Sequence, residues 1–553
     1  MFSTMPHPMP LVLLLLLLQI QLVAASSHPP WAHGTFTNHT TILPVRCLLG
    51  QASALLRLKR SFTTTDESVA AFHSWKVGTD CCRWEGIRCG ATSGHVTSLD
   101  LRDRGLESDH LDHVLFELNS LRYLNLGGND FSLSEIPSTG FEQLTRLTHL
   151  NLSNSKFAGQ VPAYSIGCLT NLVCLDLSSY YEITEWYDHT HMIRVYFDQL
   201  ILPNLTALVA NLTSLRELHL GWVDMSGQGE KWCSALANYT PNLRVLSLPF
   251  CSLSSPICGS LVGLQSLSMV DLQYNRLTGS IPVFFANFSS LNVLQLSYNN
   301  LEGRVPPVIF QHKKLVTIDL HHNPNILGNL PNFSTDSNQL ENLFVGDTNF
   351  SGTVPNSISN LKHLKKLGLD ALGFTGELPS SIGRLTSLNS LQISGLGLVG
   401  SISSWITNLT SLEVLVVSCC GFNGPIPSSI GDLHKLRKLA LYKCNFSGKI
   451  PSGILNLTLL DTLVLASNNL VGTVQLNSLW KLQNLYDLNL SNNKLSVIEG
   501  EHNSSLISFP NIAYLGLASC NINNFPNILG HTDKIKVVDL SSNQIHGAIP
   551  QWA

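Results

Sequence analysis

Charged side chains are scarce in this chain. Asp, Glu, Lys and Arg make up 13% of its 553 residues, whereas soluble domains usually contain about 25%. The formal net charge is only −4, so no electrostatic argument favours nucleic acid or an anionic membrane as a partner. Cysteine is also sparse, with 13 residues, which is too few for a small disulfide scaffold.

Sequence motifs of enzymes are missing as well. The chain has no phosphate-binding loop, no G-x-S-x-G, no H-E-x-x-H, no kinase signature and no carboxylates at catalytic spacing. "DHTH" (Asp188 to His191) contains residue types that ligate metals. It lies in an irregular segment from Ser178 to Pro203, which is better interpreted as a solvated loop. We therefore expect neither catalysis nor a cofactor.

One long apolar run is present, near the N-terminus. "LVLLLLLLQIQLVAAS" (Leu11 to Ser26) ends in small residues, and no Lys or Arg precedes it. It is short for a membrane span and typical of a secretory signal. We predict a signal peptide over residues 1–25 and a linker over residues 26–46. No second run of about 20 apolar residues follows, so we expect a secreted or cell-surface protein without a membrane-spanning segment in this chain.

From Leu121 onward the chain repeats itself, as "SSLNVLQLSYNNLEGRVP" (Ser289 to Pro306) illustrates. One position in each unit serves as a ruler, and it recurs every 24 residues at Leu343, Leu367, Leu391, Leu415, Leu439 and Leu463. The ruler extends back to Leu99 and forward to Val538, with one jump of 43 residues between Leu175 and Leu218. Such a period indicates a leucine-rich-repeat array of about 18 units, cap included.

The pattern L-x-x-L-x-L-x-x-N predicts a short strand whose leucines face one side. Strands of successive units should pair in parallel about 4.8 Å apart, with the leucines in a shared core and the other residues on a concave face. No unit can bury its apolar side alone, so stability must come from stacking on neighbours. The ninth position should turn inward and bond the backbone; it is occupied by Asn299, Asn323, Asn468, Asn493, Asn543, Cys251, Cys420, Cys444 and Cys520.

The second half of each unit carries L-x-G-x-I-P, most clearly in "LTGSIP" (Leu277 to Pro282). Glycine allows positive φ and proline resists helix, so this half should be extended. The predicted fold class is α/β: a right-handed leucine-rich-repeat solenoid with a parallel β-sheet on the concave face and short 3-10 or extended segments on the convex face. We assign the array to residues 99–553, with an irregular insertion at about 178–203.

An N-terminal cap, residues 47–98, precedes the first strand. Its segment Gln51 to Phe62 predicts an amphipathic helix, with Ala54, Leu55, Leu58 and Phe62 on one face. Terminal units of a solenoid shield its open end, so we interpret Cys47, Cys81, Cys82 and Cys89 as disulfide staples. Three pairings are possible, and strained geometry disfavours a bond between the neighbours Cys81 and Cys82. Trp84 is expected to pack over the first repeat.

The cap and the L-x-G-x-I-P motif resemble those of plant extracellular leucine-rich-repeat proteins. Residues 11 to 553 are similar to the ectodomains of plant receptor-like proteins of the Cf and Verticillium wilt resistance type. This resemblance implies the disulfides Cys47–Cys81 and Cys82–Cys89. It also implies a non-enzymatic immune receptor that binds a peptide or protein ligand, pathogen-derived ligands included, and signals through a receptor-like kinase as co-receptor.

Two other functions stay open. Soluble inhibitors of cell-wall-degrading enzymes, the polygalacturonase inhibitors, share these parts, but they resemble about ten units rather than 18. A peptide-hormone co-receptor in development would have the same architecture.

A column of rings is the candidate binding site. The residue just before the ninth position is aromatic or histidine in five consecutive units: Trp222, Phe250, Tyr274, Tyr298 and His322. We call this set the ring column and place it among the exposed strand positions of the concave face, where aromatic anchors are typical binding hot spots. The plainer alternative is that tyrosine is common at this position and the column only covers a wide surface.

Other cysteines can be placed by the same ruler. Cys233 and Cys258 occupy nearly equivalent positions in adjacent units, within disulfide reach, and a bond and two free thiols are equally open alternatives. Cys420 and Cys444 are expected to be buried free thiols that act as small apolar residues.

Asn-x-Ser/Thr triplets are frequent, as in secreted glycoproteins. Asn151 and Asn489 lie at outward strand positions, where a glycan would obstruct the face. The predicted glycosylation sites are the others: Asn38, Asn204, Asn211, Asn238, Asn287, Asn332, Asn349, Asn408, Asn445, Asn456 and Asn503.

The sequence stops after "LSSNQIHGAIPQWA" (Leu540 to Ala553), where a further unit should begin. No paired cysteines and no polar terminal unit close the stack there. We expect a truncated product of a longer receptor-like protein, with the last strand unpaired on its outer edge.

Overall fold

The structure is a computed structural model that describes residues 46–64, 69–179, 199–335, 338–371, 373–402, 404–500, 509–531 and 534–547. The predicted signal peptide, the linker up to residue 45, the "DHTH" segment, Asn38 and Asn503 lie outside these residues.

The ruler residues of successive units are register partners in one parallel sheet. Leu99 pairs with Leu124, Leu343 with Leu367, and Leu515 with Val538. Leu175 pairs directly with Leu218, so the long jump in the ruler does not interrupt the sheet. The strands follow chain order: Val96–Asp100, Tyr123–Asn125, His149–Asn151, Cys174–Asp176, Glu217–His219, Val245–Ser247, Met269–Asp271, Val293–Gln295, Thr317–Asp319, Asn342–Phe344, Lys366–Asp370, Ser390–Ser394, Val414–Ser418, Lys438–Tyr442, Thr462–Val464, Asp487–Asn489, Tyr514–Gly516 and Val537–Asp539.

The core lies on one side of this sheet. Ruler leucines such as Leu294, Leu367 and Leu439 have 0% of their surface exposed. Side chains alternate along a strand, so the residues on either side of each ruler position stand on the opposite side, which we call the concave face. The predicted fold is confirmed.

The second half of the units is extended, as L-x-G-x-I-P predicted. The motif glycines need positive φ, for example 80° at Gly376, and neighbouring units pair there in two further sheets that the sequence did not predict. One contains Glu302–Arg304, Asn323–Gly328, Thr348–Gly352 and Gly373–Phe374, and the other Gly376–Glu377, Leu398–Gly400, Gly421–Pro425, Asn445–Gly448, Asn469–Gln475 and Lys494–Ile498. Smaller strands pair Thr63–Thr64 with Leu106–Glu107 and Gly159–Gln160 with Leu200–Ile201.

Short helices complete the units. The 3-10 helices are Val69–Phe72, Cys81–Arg83, His113–Glu117, Phe141–Gln143, Ser226–Gln228, Gly259–Gly263, Val283–Asn287, Pro307–Gln311, Asn356–Asn360, Ser380–Arg384, Ser404–Asn408, Ser428–Asp432, Ser452–Asn456 and Asn527–Gly530. The α-helices are Leu49–Arg60, Ala163–Gly167, Leu205–Val209, Lys231–Tyr239 and Leu476–Leu479. Among the described residues, none of the helices combines the length and apolar character that crossing a membrane requires.

The ninth-position asparagines bond the backbone of two successive units. Asn299 Nδ2 donates to the carbonyl oxygens of Leu296 at 3.0 Å and of Leu272, one unit earlier, at 2.9 Å. Its Oδ1 accepts the N–H of Leu277 at 2.9 Å. The cysteines at this position also turn inward, and the Cys251 thiol donates to the Leu220 carbonyl oxygen at 3.0 Å. The same asparagine pattern recurs at Asn129, Asn275, Asn323, Asn468, Asn493 and Asn543.

The cap closes the first repeat. Its helix Leu49–Arg60 buries the predicted face, and Gln51 Oε1 accepts the N–H of Val96, the first residue of the sheet, at 2.7 Å. The strand Ile87–Cys89 adds to the sheet in antiparallel orientation. Trp84 is buried and stacks on Trp75, with ring centroids 5.3 Å apart.

The disulfides follow the predicted pairing. Cys47 is bonded to Cys81, and Cys82 to Cys89. The open question about the adjacent units is settled in favour of a bond between Cys233 and Cys258. Cys420 and Cys444 are buried free thiols, as expected.

Asn299→Ala should destabilise the protein more than Asn300→Ala. The first substitution leaves buried backbone groups of two units unpaired, at a cost of about 1–3 kcal/mol for each group, whereas Asn300 is exposed. Urea unfolding followed by circular dichroism measures both. Equal midpoints for the two variants would show that the asparagine ladder does not hold adjacent units together.

Candidate ligand-binding face

The ring column lies in the turn that follows each strand. The strand of the Tyr298 unit ends at Gln295, and Tyr298 has a φ of 54°. The corresponding φ angles are 67° at Trp222, 57° at Phe250, 52° at Tyr274 and 51° at His322. The placement of these residues among the strand positions was therefore wrong. They border the concave face at the edge where the chain leaves the sheet.

The turn explains this conformation. The chain must bend inward to bury the side chain at the ninth position. A residue with left-handed backbone conformation just before that position produces the bend. Bulky residues rarely adopt this region, and such strain persists only where the surrounding structure imposes it. Asp347, Cys419 and Lys443 have the same conformation at the equivalent position, with φ of 45°, 51° and 52°. The repeat geometry, rather than the individual side chain, sets the position of the column.

The five rings form one continuous stack. Ring centroids are 4.1 Å apart for Trp222–Phe250 and for Phe250–Tyr274, and 4.0 Å apart for Tyr274–Tyr298, with interplanar angles of 9–11°. His322 continues the stack at 4.1 Å and 28°. Each ring is partly buried. Within the stack, therefore, neighbouring rings cover the ring faces, and any contact with another molecule would have to be made through the ring edges.

Charged groups stand at the end of the stack and beside it. His322 Nε2 lies 3.0 Å from Asp347 Oδ2. On the adjoining concave strand, His321 Nδ1 pairs with Asp319 Oδ1, and the His321 ring meets the Tyr298 ring edge to face at 4.9 Å. The ring column thus borders a strip of paired histidine and aspartate side chains.

Burial and mutual repulsion perturb the carboxyl groups of this strip. Burial raises the pKa of Asp271 to about 6. Burial, followed by the charge of Asp347, raises the pKa of Asp370 to about 7. Burial lowers the pKa of His321, but Asp319 and the other carboxylates outweigh it, so the pKa lies above its usual value. Asp271 and Asp370 therefore lose their protons as the pH rises through about 6 and about 7, and this part of the surface gains net negative charge.

Sequence reasoning missed two further residues of the concave face. Lys438 and Asp487 each stand immediately before a ruler leucine, and both are almost fully buried. They would have been found by examining the residue before each ruler position instead of the residue before the ninth position of each unit.

The predicted glycosylation sites lie at exposed positions wherever the structure describes them. By contrast, Asn151 has only 8% of its surface exposed, and its Oδ1 accepts the N–H of Ser153 at 2.8 Å. Asn489 Oδ1 likewise accepts the N–H of Ser491. The exposed sites are Asn204, Asn211, Asn238, Asn287, Asn332, Asn349, Asn408, Asn445 and Asn456.

Replacing Tyr274 and Tyr298 together by alanine should destabilise the protein, because four ring contacts are lost, three within the stack and one with His321, and each is worth about 0.5–1.5 kcal/mol beyond its burial. The matched control replaces both by phenylalanine, which keeps the stack. Urea unfolding should give a lower midpoint for the alanine variant and a near-native one for the phenylalanine variant. Indistinguishable midpoints would mean that the stack contributes nothing.

Asp370→Asn should weaken the pH dependence of stability. A carboxyl whose pKa is raised in the folded state, here to about 7 from 3.8, stabilises the fold below about pH 4, and that contribution is lost as the pH rises to about 7. The wild type should therefore melt at a lower temperature at pH 7.5 than at pH 5, and the variant should reduce this difference. The exposed Asp432→Asn serves as control. An unchanged difference in both variants would contradict the assignment.

Three family descriptions match the chain. Residues 339–541 match a leucine-rich repeat region, residues 265–324 a leucine rich repeat, and residues 48–90 the leucine rich repeat N-terminal domain. The first two ranges lie within the repeat array, and the third lies within the cap.

Several curated relatives are plant receptor-like proteins. Receptor-like protein 6 of Arabidopsis thaliana is 36% identical over 219 residues, which are 39% of this chain and 20% of the relative. Receptor-like protein EIX1 of Solanum lycopersicum is 31% identical over 255 residues, 42% of this chain and 24% of the relative. The receptor-like protein Cf-9 homolog of the same species is 32% identical over 213 residues, which are 38% of this chain and 22% of the relative. The chain therefore spans only about a fifth to a quarter of the length of these relatives.

Solved structures share the fold. The plant peptide hormone receptor RGFR1 in complex with RGF2 matches with a TM-score of 0.57 and 22% identity, over 85% of this chain and 81% of that one. The Arabidopsis receptor kinase HAESA ectodomain in complex with an IDA peptide hormone matches with a TM-score of 0.52 and 23% identity. The match covers 90% of this chain and 94% of that one. The solved structures show the fold alone. The repeat register, the inward-turned asparagines and the family matches identify a leucine-rich-repeat array behind a leucine rich repeat N-terminal domain, and over about two fifths of its length the chain is similar to plant receptor-like proteins.

Proposed function

We propose that this protein is a non-enzymatic extracellular recognition protein of the plant immune receptor type. It captures a peptide or protein ligand on the concave face and signals through a receptor-like kinase, at the cell surface or after secretion. The names of its relatives support a receptor role, and two proteins of the same fold carry peptide hormones in their solved structures.

The observation that carries this proposal is the ring column beside the histidine–aspartate strip. Four consecutive ring contacts of 4.0–4.1 Å make a rigid wall, which loses little conformational entropy when a ligand binds. Carboxylates and imidazoles stand along its side. Aromatic surface next to fixed polar groups is the composition of protein-binding hot spots.

The geometry favours a polypeptide over a flat ligand. Because the faces inside the stack are covered, a sugar or a nucleobase cannot lie flat between neighbouring rings. An extended chain can instead run along the ring edges and direct its N–H groups and cationic side chains to Asp319, Asp347 and Asp370. None of the exposed glycosylation sites is a strand residue of this face, so glycans leave it accessible.

Site-directed photo-crosslinking tests the binding face. Benzoylphenylalanine is introduced at Val293, the concave-face residue just before the ruler position in the unit that contains Tyr298, and in the matched control at Val308, an exposed residue of a 3-10 helix in the same unit. Irradiation in plant extracellular fluid should yield peptide or protein adducts at position 293 that unlabelled protein competes away. Adducts of equal yield at both positions, or none at position 293, would contradict the proposal.

A further inference from the structure

A second polar pair lies on the concave face, away from the ring column. Lys438 and Thr462 are register partners, and Thr462 and Asp487 are partners in turn. All three precede a ruler leucine and therefore stand on the concave side. They are nevertheless largely covered, with 5%, 7% and 4% of their surface exposed.

Neither charge has a partner. In the part of the chain that the structure describes, the side chains of Lys438 and Asp487 make no hydrogen bond or ion pair, and only longer-range attraction links them. Thr462, which lies between them, donates its hydroxyl to Asp461 Oδ1 at 2.8 Å. Burying a charged group without a hydrogen-bonded partner costs free energy. This arrangement therefore lowers the stability of the unbound protein, unless another molecule supplies the missing partners.

The titration of both groups agrees with this description. Burial lowers the pKa of Lys438, and the carboxylates of Asp487 and Asp461 only partly oppose it. Burial raises the pKa of Asp487 to about 6. Each group is thus shifted towards its neutral form, as expected for charges that lack a close counter-ion.

Apolar and aromatic side chains surround the charged pair. Val416, Ala440 and Val464 lie on the same face as Lys438, one beside another, and are almost fully buried. On the other side, the rings of Tyr486 and Tyr514 meet edge to face at 5.6 Å, next to Asp487.

The spacing defines which peptide fits. Lys438 and Asp487 are two strand spacings apart, about 9.6 Å. In a polyproline II helix, which has three residues per turn and a rise of about 3.1 Å, residues three apart lie on the same side about 9.3 Å apart. In an ideal extended strand, residues three apart point to opposite sides.

We propose that Lys438 and Asp487 form a charged subsite that takes a polyproline II segment of a peptide ligand, with a carboxylate and a basic side chain three residues apart. The carboxylate pairs with Lys438 and the ammonium or guanidinium with Asp487, so that both buried charges gain a partner. This inference rests on the proposed function and names a feature of the ligand.

Calorimetric titration of the full chain with short peptides tests the subsite. The probe is a capped six-residue proline peptide with one glutamate and one lysine three positions apart. The matched peptides place the two charges two positions apart, or replace glutamate by glutamine. We expect the probe to bind at least about tenfold more tightly than either matched peptide, since each matched peptide lacks one of the two charge-assisted contacts.

Variants of the protein complete the test. Lys438→Met and Asp487→Asn should each lose the preference for the probe, and Lys366→Met, in the same column three strands earlier, should keep it. Equal affinity for the three peptides, or no binding of the probe up to about 10 mM, overturns the subsite even if a variant fails to fold. If crosslinking at Val293 still succeeds, only the subsite is wrong and the proposed function stands.

Discussion

Burial of leucine between neighbouring repeats is the interaction on which the rest of this structure depends. A single unit offers one short strand and a handful of apolar side chains, which cannot bury themselves. Stacking in strict register gives the ruler leucines complete burial, and the ladder asparagines bond each turn to the preceding unit. Charge is scarce in the chain because most positions of a unit serve this shared core or its turns.

The same constraint positions the candidate site. Because the backbone bends in the same way after these strands, a side chain at the turn recurs at the spacing of the stack, and the five successive rings there stack face to face. Lys438 and Asp487 follow the same rule in another column: register places them two strands apart, and neighbouring side chains bury them. The residues of each candidate site therefore occupy equivalent positions in successive units and are far apart in the sequence.

Much of the fold could be predicted from the sequence, because a period of 24 residues fixes which leucines pair and which asparagines turn inward. Gln51 to Phe62 likewise revealed the buried face of the cap helix. The turn position of Tyr298 could not be derived, since alternation describes a strand but does not show where it ends. The additional strands such as Leu398–Gly400 have little local signal and form only against neighbours. The burial of Lys438 depends on residues a full repeat away, so no local pattern contains it.

Native-state hydrogen exchange tests most directly whether neighbour stacking holds this protein together. The account predicts that the amides of Leu294, Leu367 and Leu439 exchange at similarly slow rates. Protection should decline toward the last described strand, where Val538 is 40% exposed and is paired on one side. If Leu367 exchanges as fast as Val538 while units on both sides stay protected, the repeats are stable individually and the central claim is contradicted.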